Sequence, residues 1–259
     1  MSDQTLPPPS AADAAANGEL GSESTDGVSL SRNIATELVG TVLVMLAGPG
    51  LLAIAGVAAT DLAVAVAFGT AMAVSIGVIG AVANPVFTLA LLVVREITPR
   101  EALGDWIGQV AGGVIGAALI FGVNGLERSS NGATGWDRDG LSGIGSVFAA
   151  ELVFTVMIVV VLLSAISKGF SLSSIAEFTG AAYALAMLVL LDIDGGGANP
   201  ARSIGSALFT DTDPNPLGQL WLFIVVPMVA AVGGVFVWLA IDDAEVDDTV
   251  FDDTFVDRD

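Results

Sequence analysis

A chain of 259 residues, 54% of them apolar and only 14% charged, with a mean hydropathy of +0.79, carries more lipid-like surface than a soluble fold can bury. The absence of cysteine and histidine excludes disulfides, thiolate metal sites, thiol nucleophiles and imidazole acid–base chemistry, so neither an enzyme nor a cofactor-dependent protein is expected. The net charge of −20 lies largely at the two ends, with five acidic residues in 1–31 and nine in 242–259, a surface that repels nucleic acid.

Residues 1–31 are polar, acidic and rich in small residues; they lack the basic and then apolar pattern of a signal peptide and read as a disordered cytoplasmic tail. Residues 242–259 form a second acidic tail. Lys168 is the only lysine; acidic, lysine-poor wet surfaces are a compositional response to high internal salt, which points to a halophile. The competing reading is an acidic tail that binds a basic partner.

Between the tails, residues 32–241 hold six apolar runs of the length, about 20 residues, that crosses a bilayer. They cover about 34–57, 61–82, 101–123, 143–166, 172–192 and 217–241. The first contains Gly48-Pro49-Gly50, a place for a kink. The third carries Gly108, Gly112 and Gly116 on one helical face, as close helix packing in lipid requires. Two further apolar pieces, from Asn84 and from Asn199, run about 11 residues each, which as helix is about 17 Å. Each reaches only halfway across. Arg32, Arg95, Arg100, Lys168 and Arg258 fall on one side of this arrangement, and Arg128 and Arg138 on the other. The bias puts both termini in the cytoplasm of a multi-pass protein of the cell membrane, with the polar segment 124–140 outside.

The two halves repeat. Glu37 opens the stretch ELVGTVLVM and Glu151 the stretch ELVFTVMIV, and each is followed by an Asn-Pro at nearly the same distance, Asn84-Pro85 and Asn199-Pro200. Three spans and one half-span therefore occur twice, over about 34–123 and 143–241. Because three is odd, the second copy enters from the opposite face, giving an inverted repeat. Asparagine is a strong N-cap and proline suits the first helical turn, so both half-spans are helix starts. If they begin near the midplane, their positive dipole ends converge there, repelling cations, and the asparagine amides offer donors to a neutral solute. The fold class expected is an all-α membrane protein of six transmembrane helices and two re-entrant half-helices. Gly195-Gly196-Gly197 then lets the chain turn back and present backbone carbonyls, while Arg202 marks a pathway, since an arginine at that depth is costly.

The paired glutamates, the two Asn-Pro pairs, NPAR at 199–202 and the stretch from Trp106 to Gln109 resemble those of the aquaporins, or major intrinsic proteins, over about 34–241. The resemblance implies a passive channel for water and small uncharged, glycerol-like solutes that excludes ions and protons, embedded in the lipid bilayer as a homotetramer with one pore per subunit. It further implies that Glu37 and Glu151 brace the interrupted loops, and that four positions ring the outer constriction. Counting back from Arg202 places Met187 and Gly196 in two of these, although Met187 also reads as plain packing. Counting back from Asn84 without a gap places Val64 in the third, and Phe68 reaches it with a four-residue gap. Water-selective members have histidine where Met187 stands, and glycerol facilitators commonly have aspartate where Ser203 stands. Val86 replaces the usual alanine of the first Asn-Pro box, and the usual histidine before it is missing. A secondary transporter, which also uses inverted repeats and broken helices, is the alternative.

Overall fold

The computed structural model describes residues 29–55, 60–126, 128, 132–137 and 140–242. Most of the two expected tails lies outside the described residues, as does Arg138. Among the described residues the regular structure is helical: α1 Leu30–Ala47, α2 Pro49–Ala55, α3 Asp61–Val74 with a π-helical turn at Ser75–Ile79, α4 Pro85–Val93, α5 Pro99–Val123, α6 Ile144–Ser167, α7 Leu172–Asp194, α8 Pro200–Phe209 and α9 Pro216–Ile241. Among the described residues six spans are long and apolar enough to cross a membrane, α1 and α2 together making the first.

Short polar residues start most of these helices by accepting an otherwise orphaned backbone N–H. Ser29 caps α1, Thr60 α3, Ser171 α7 and Asn215 α9. Thr98 caps α5 in a full capping box: its hydroxyl accepts from the Glu101 N–H, and the Glu101 carboxylate accepts from the Thr98 N–H. Gly48 ends α1, and the first span restarts as α2 at Pro49, so Gly48-Pro49-Gly50 makes a break rather than a bend.

The long helices pack in a pattern that respects the repeat. In the first half α1 lies against α5, and in the second α6 lies against α9; α3 and α7, the middle spans of the two halves, lie against each other. The half-length helices cross over, α8 of the second half packing on α5 of the first and α4 of the first on α9 of the second. Glycine makes these approaches possible. A side chain at Gly108 or Gly112 would collide with the backbone of α1 at Ile34 or Leu38, and one at Gly116 with Met45. Gly69 and Gly180 face each other's carbonyls across α3 and α7. Between lipid-embedded helices such backbone contact supplies the attraction that a hydrophobic effect cannot. The apolar side chains point both ways: Phe68, Phe87, Met187 and Leu190 are buried inside, whereas Val39, Leu62, Val153, Leu185, Val229 and Phe236 are exposed on the outside, where acyl chains replace water as the solvent.

Candidate functional site

The site is built where α4 and α8 begin. Asn84 and Asn199 each take an extended backbone conformation, and each side-chain oxygen caps its own helix, Asn84 Oδ1 accepting from the Val86 N–H at 3.0 Å and Asn199 Oδ1 from the Arg202 N–H at 3.2 Å. The remaining amide group of each reaches across to the other half. Asn84 Nδ2 donates to the Ala198 carbonyl and Asn199 Nδ2 to the Ala83 carbonyl, both at 2.9 Å. Each NH₂ carries two hydrogens, so one is used in this reciprocal clasp and one remains. Ala83 and Ala198, which supply the carbonyls, both have positive φ, +50° and +57°. That conformation is uncommon for a residue with a side chain, and the clasp helps to hold it.

Each clasped loop hangs from a buried glutamate. Glu37 of α1 accepts from the Val82 and Ala83 N–H groups at 2.7 and 2.8 Å, and from Gln109 Nε2 at 2.9 Å. Glu151 of α6 accepts from the Ala198 N–H with both oxygens, at 3.0 and 2.9 Å. Pro85 and Pro200 occupy the first turns of α4 and α8, where a missing N–H costs nothing. On the Glu37 side Gln109 also donates to Thr88 Oγ1, Thr88 donates to Asp105, and Asn33 donates to Asp105 at 2.8 Å. Sequence reasoning singled out Gln109 but not Asp105, Thr88 or Asn33; the signal was a carboxylate inside an apolar span.

Arg202, two residues into α8, is fully buried. Its Nη2 donates to the Gly195 carbonyl, while Nε and Nη1 have no partner among the described residues. The glycine turn is thus engaged at Gly195 by the arginine, where the sequence reading had its carbonyls facing a solute. Gly195 and Gly196 both have φ of +83°, which glycine adopts without steric cost. Asp194 ties the turn further, its Oδ1 accepting from the Gly196 and Gly197 N–H groups at 2.9 and 3.0 Å.

Around the guanidinium, the Phe68 ring lies 5.8 Å from the arginine carbon Cζ, within cation–π reach. Of the two candidates on α3, Phe68 is therefore the one beside Arg202, and Val64 is buried one turn before it in the core. Met187 of α7 lies beside Gly196, where an added methyl would come 3.1 Å from the methionine sulfur. The structure also brings in Tyr183, one turn before Met187, whose ring packs on Phe68; sequence reading passed over it.

A cavity of about 700 Å³ is lined in part by Asp61, Asp137, Asp192, Asp194, Gly195, Asp213 and Gln219. The segment that roofs it is held in place by Gln219, which accepts from the Trp136 N–H and donates to the Trp136 carbonyl. Trp136 also packs on Trp221 and Phe223. The acidic cavity and the buried arginine share Gly195, which lines the one and accepts from the other.

Six apolar spans and two half-length helices joined start to start define a helical membrane protein built as a duplicated unit around a central polar seam. The major intrinsic protein family model matches residues 24–238, and the chain belongs to that family. It is 32% identical over 161 residues to glycerol uptake facilitator protein-like 6 of Lactiplantibacillus plantarum, a match covering 61% of this chain and 72% of that protein. It is 31% identical over 169 residues to Aquaporin Z of Brucella melitensis, covering 61% and 72%. Among solved structures, the aquaglyceroporin from Plasmodium falciparum shares the fold, with a TM-score of 0.70 at 18% identity over 82% of this chain and 97% of that one.

Proposed function

We propose that the protein is a passive transmembrane channel for water and small uncharged solutes that excludes ions and protons. The observation that carries this reading is the reciprocal clasp of Asn84 and Asn199 below an arginine with two unpaired nitrogens. The positive ends of two helices and a guanidinium face one short path, so a cation meets repulsion at each step. A neutral molecule with oxygen lone pairs instead meets donors: the spare amide hydrogens, Nε and Nη1. Pore-lining roles for Asn84, Asn199, Arg202, Phe68, Met187 and Gly196, with Val64 in the wall behind, follow from this reading, as do bracing roles for Glu37 and Glu151.

Membership of the family supports a channel, and the names of the two relatives, glycerol uptake facilitator protein-like 6 and Aquaporin Z, are in keeping with the solutes proposed. The transporter alternative needs a carboxylate free to couple an ion. The two carboxylates that the sequence offers for that role are committed to the loops, Glu37 through the Val82 and Ala83 N–H groups and Glu151 through the Ala198 N–H shared by both its oxygens, while Asp194 Oδ2 has no partner among the described residues. The rest of the reading rests on sequence: a channel unit over 32–241 flanked by acidic tails, in the cell membrane with termini in the cytoplasm, and an acidic composition suited to a salt-rich interior; the homotetramer is what the family resemblance implies. The chain's relatives include bacterial and animal proteins, so the halophile assignment stands on composition alone.

Stopped-flow light scattering on proteoliposomes, with impermeant, glycerol and urea gradients, tests the proposal. Water permeability above that of empty vesicles, with no need for a proton gradient, is expected; permeability equal to empty vesicles sinks the channel, and flux only under a proton gradient would favour a transporter. For the filter, Arg202→Val is expected to raise cation or proton leak by about tenfold or more, the factor matched by about 1.4 kcal/mol of barrier. A leak equal to wild type in dye-loaded vesicles would assign exclusion to the helix dipoles alone.

A further inference from the structure

Tyr183 is the single tyrosine of the chain and is fully buried in α7, yet its hydroxyl has no hydrogen-bond partner. It approaches the Asn199 side chain without the geometry of a hydrogen bond to it. Buried polar groups in native proteins are almost always paired, if not with protein then with water or a ligand, and in a lipid-embedded bundle an orphan is costlier still. An unmet hydroxyl beside the asparagine clasp is a group that a molecule on the channel path would satisfy.

The ring that carries it is packed on two others. It packs against Phe68 with centroids 6.1 Å apart and, edge-on, against Phe87 of α4 at 6.5 Å. Phe68 is in turn the ring beneath Arg202. Met187, one turn along the same helix, is a flexible side chain that adapts to its surroundings, and Gly196 contributes no side chain. Neither of those two brings a ring to the arginine level, where Phe68 already stands, whereas the phenol packed on two phenylalanines adds a second ring one turn along α7.

We propose that Tyr183 is a second specificity-determining residue, a size checkpoint between the arginine and the asparagine pair that passes water and holds back glycerol-sized polyols. This assignment rests on the channel reading and sharpens its substrate class to water.

The test measures glycerol and water permeability on the same proteoliposomes for wild type, Tyr183→Val, Tyr183→Leu and Tyr183→Phe. The valine and leucine variants remove the ring by different amounts, so one serves if the other fails to assemble. Each is expected to raise the glycerol-to-water permeability ratio by roughly tenfold or more, in the range by which pocket size discriminates small solutes. The phenylalanine variant, which keeps the ring, is expected to stay within about twofold of the wild-type ratio. A valine or leucine variant that assembles and conducts water with the wild-type ratio overturns the assignment, and so does a phenylalanine variant that admits glycerol as freely as valine does. Wild-type protein that conducts no water overturns the channel reading instead.

Discussion

Replacing Glu151 with leucine is expected to cost about 3 kcal/mol or more and to leave little folded protein, because a buried amide loses its acceptor and the loop it hangs from loses its anchor. The Ala198 N–H donates to both glutamate oxygens, which the leucine side chain does not replace. Gly197 is packed against the same carboxylate so tightly that a methyl there would overlap it. A branched side chain in place of the flat carboxylate therefore also pushes on the turn. Loss of the anchor reaches the clasp directly, since the Ala198 carbonyl on the far side of that residue receives Asn84 Nδ2. Glu151→Gln keeps one acceptor oxygen and is expected to cost only about 1 kcal/mol. Melting curves of the purified protein in detergent check both; a leucine variant that melts with wild type would remove the bracing role.

The second large effect is expected at Gly113, on the face of α5 that receives α8. An added side chain there meets the backbone carbonyl of Ala201, and one at Gly205 meets the backbone of Gly113. Backbone cannot rotate out of the way as a side chain can, so Gly113→Val must part the two helices, at a cost of about 3 kcal/mol or more. Because Arg202 sits on the displaced helix, its bond to the Gly195 carbonyl breaks as well. The expected result is a sharp fall in monodisperse protein, with any folded remainder leaking cations. Gly122, nine residues on in the same helix, has nothing within 4 Å of an added Cβ. Gly122→Ala is the control and is expected to be neutral or slightly stabilising, within about 1 kcal/mol, as alanine is the better helix former. A Gly113→Val protein that elutes and melts like Gly122→Ala would contradict the backbone contact.

Much of this architecture could be read from single residues and short runs, because the features are local. A span shows itself by apolar length, and a helix start by Asn followed by Pro; α4 and α8 begin at Pro85 and Pro200 as those dipeptides dictate. The duplication was legible from the equal spacing of Glu37 to Asn84 and Glu151 to Asn199, and the third-span glycines from their four-residue period. The break at Gly48 was legible as a disturbance, though not as a full restart of the helix.

What could not be read depends on how one helix is rotated and slid against another. The Asn-Pro spacing offered Val64, because counting along the chain assumes a constant path from α3 to Asn84. That path runs through a π-helical turn at Ser75–Ile79 and a Gly80 in the left-handed region, which count does not register. The rotation of α3 is set instead by Gly69 against Gly180, 111 residues apart, and it is this contact that leaves Phe68 beneath Arg202. The same holds for the reciprocal clasp, for Asp105 meeting Asn33 and Thr88, and for the open hydroxyl of Tyr183. By itself the sequence determined which segments lie in the membrane and where two helices begin, since burial in lipid and capping act on neighbouring residues. Only the tertiary structure decided which side chains meet at the centre, since that follows from backbone approaches between residues far apart in the chain.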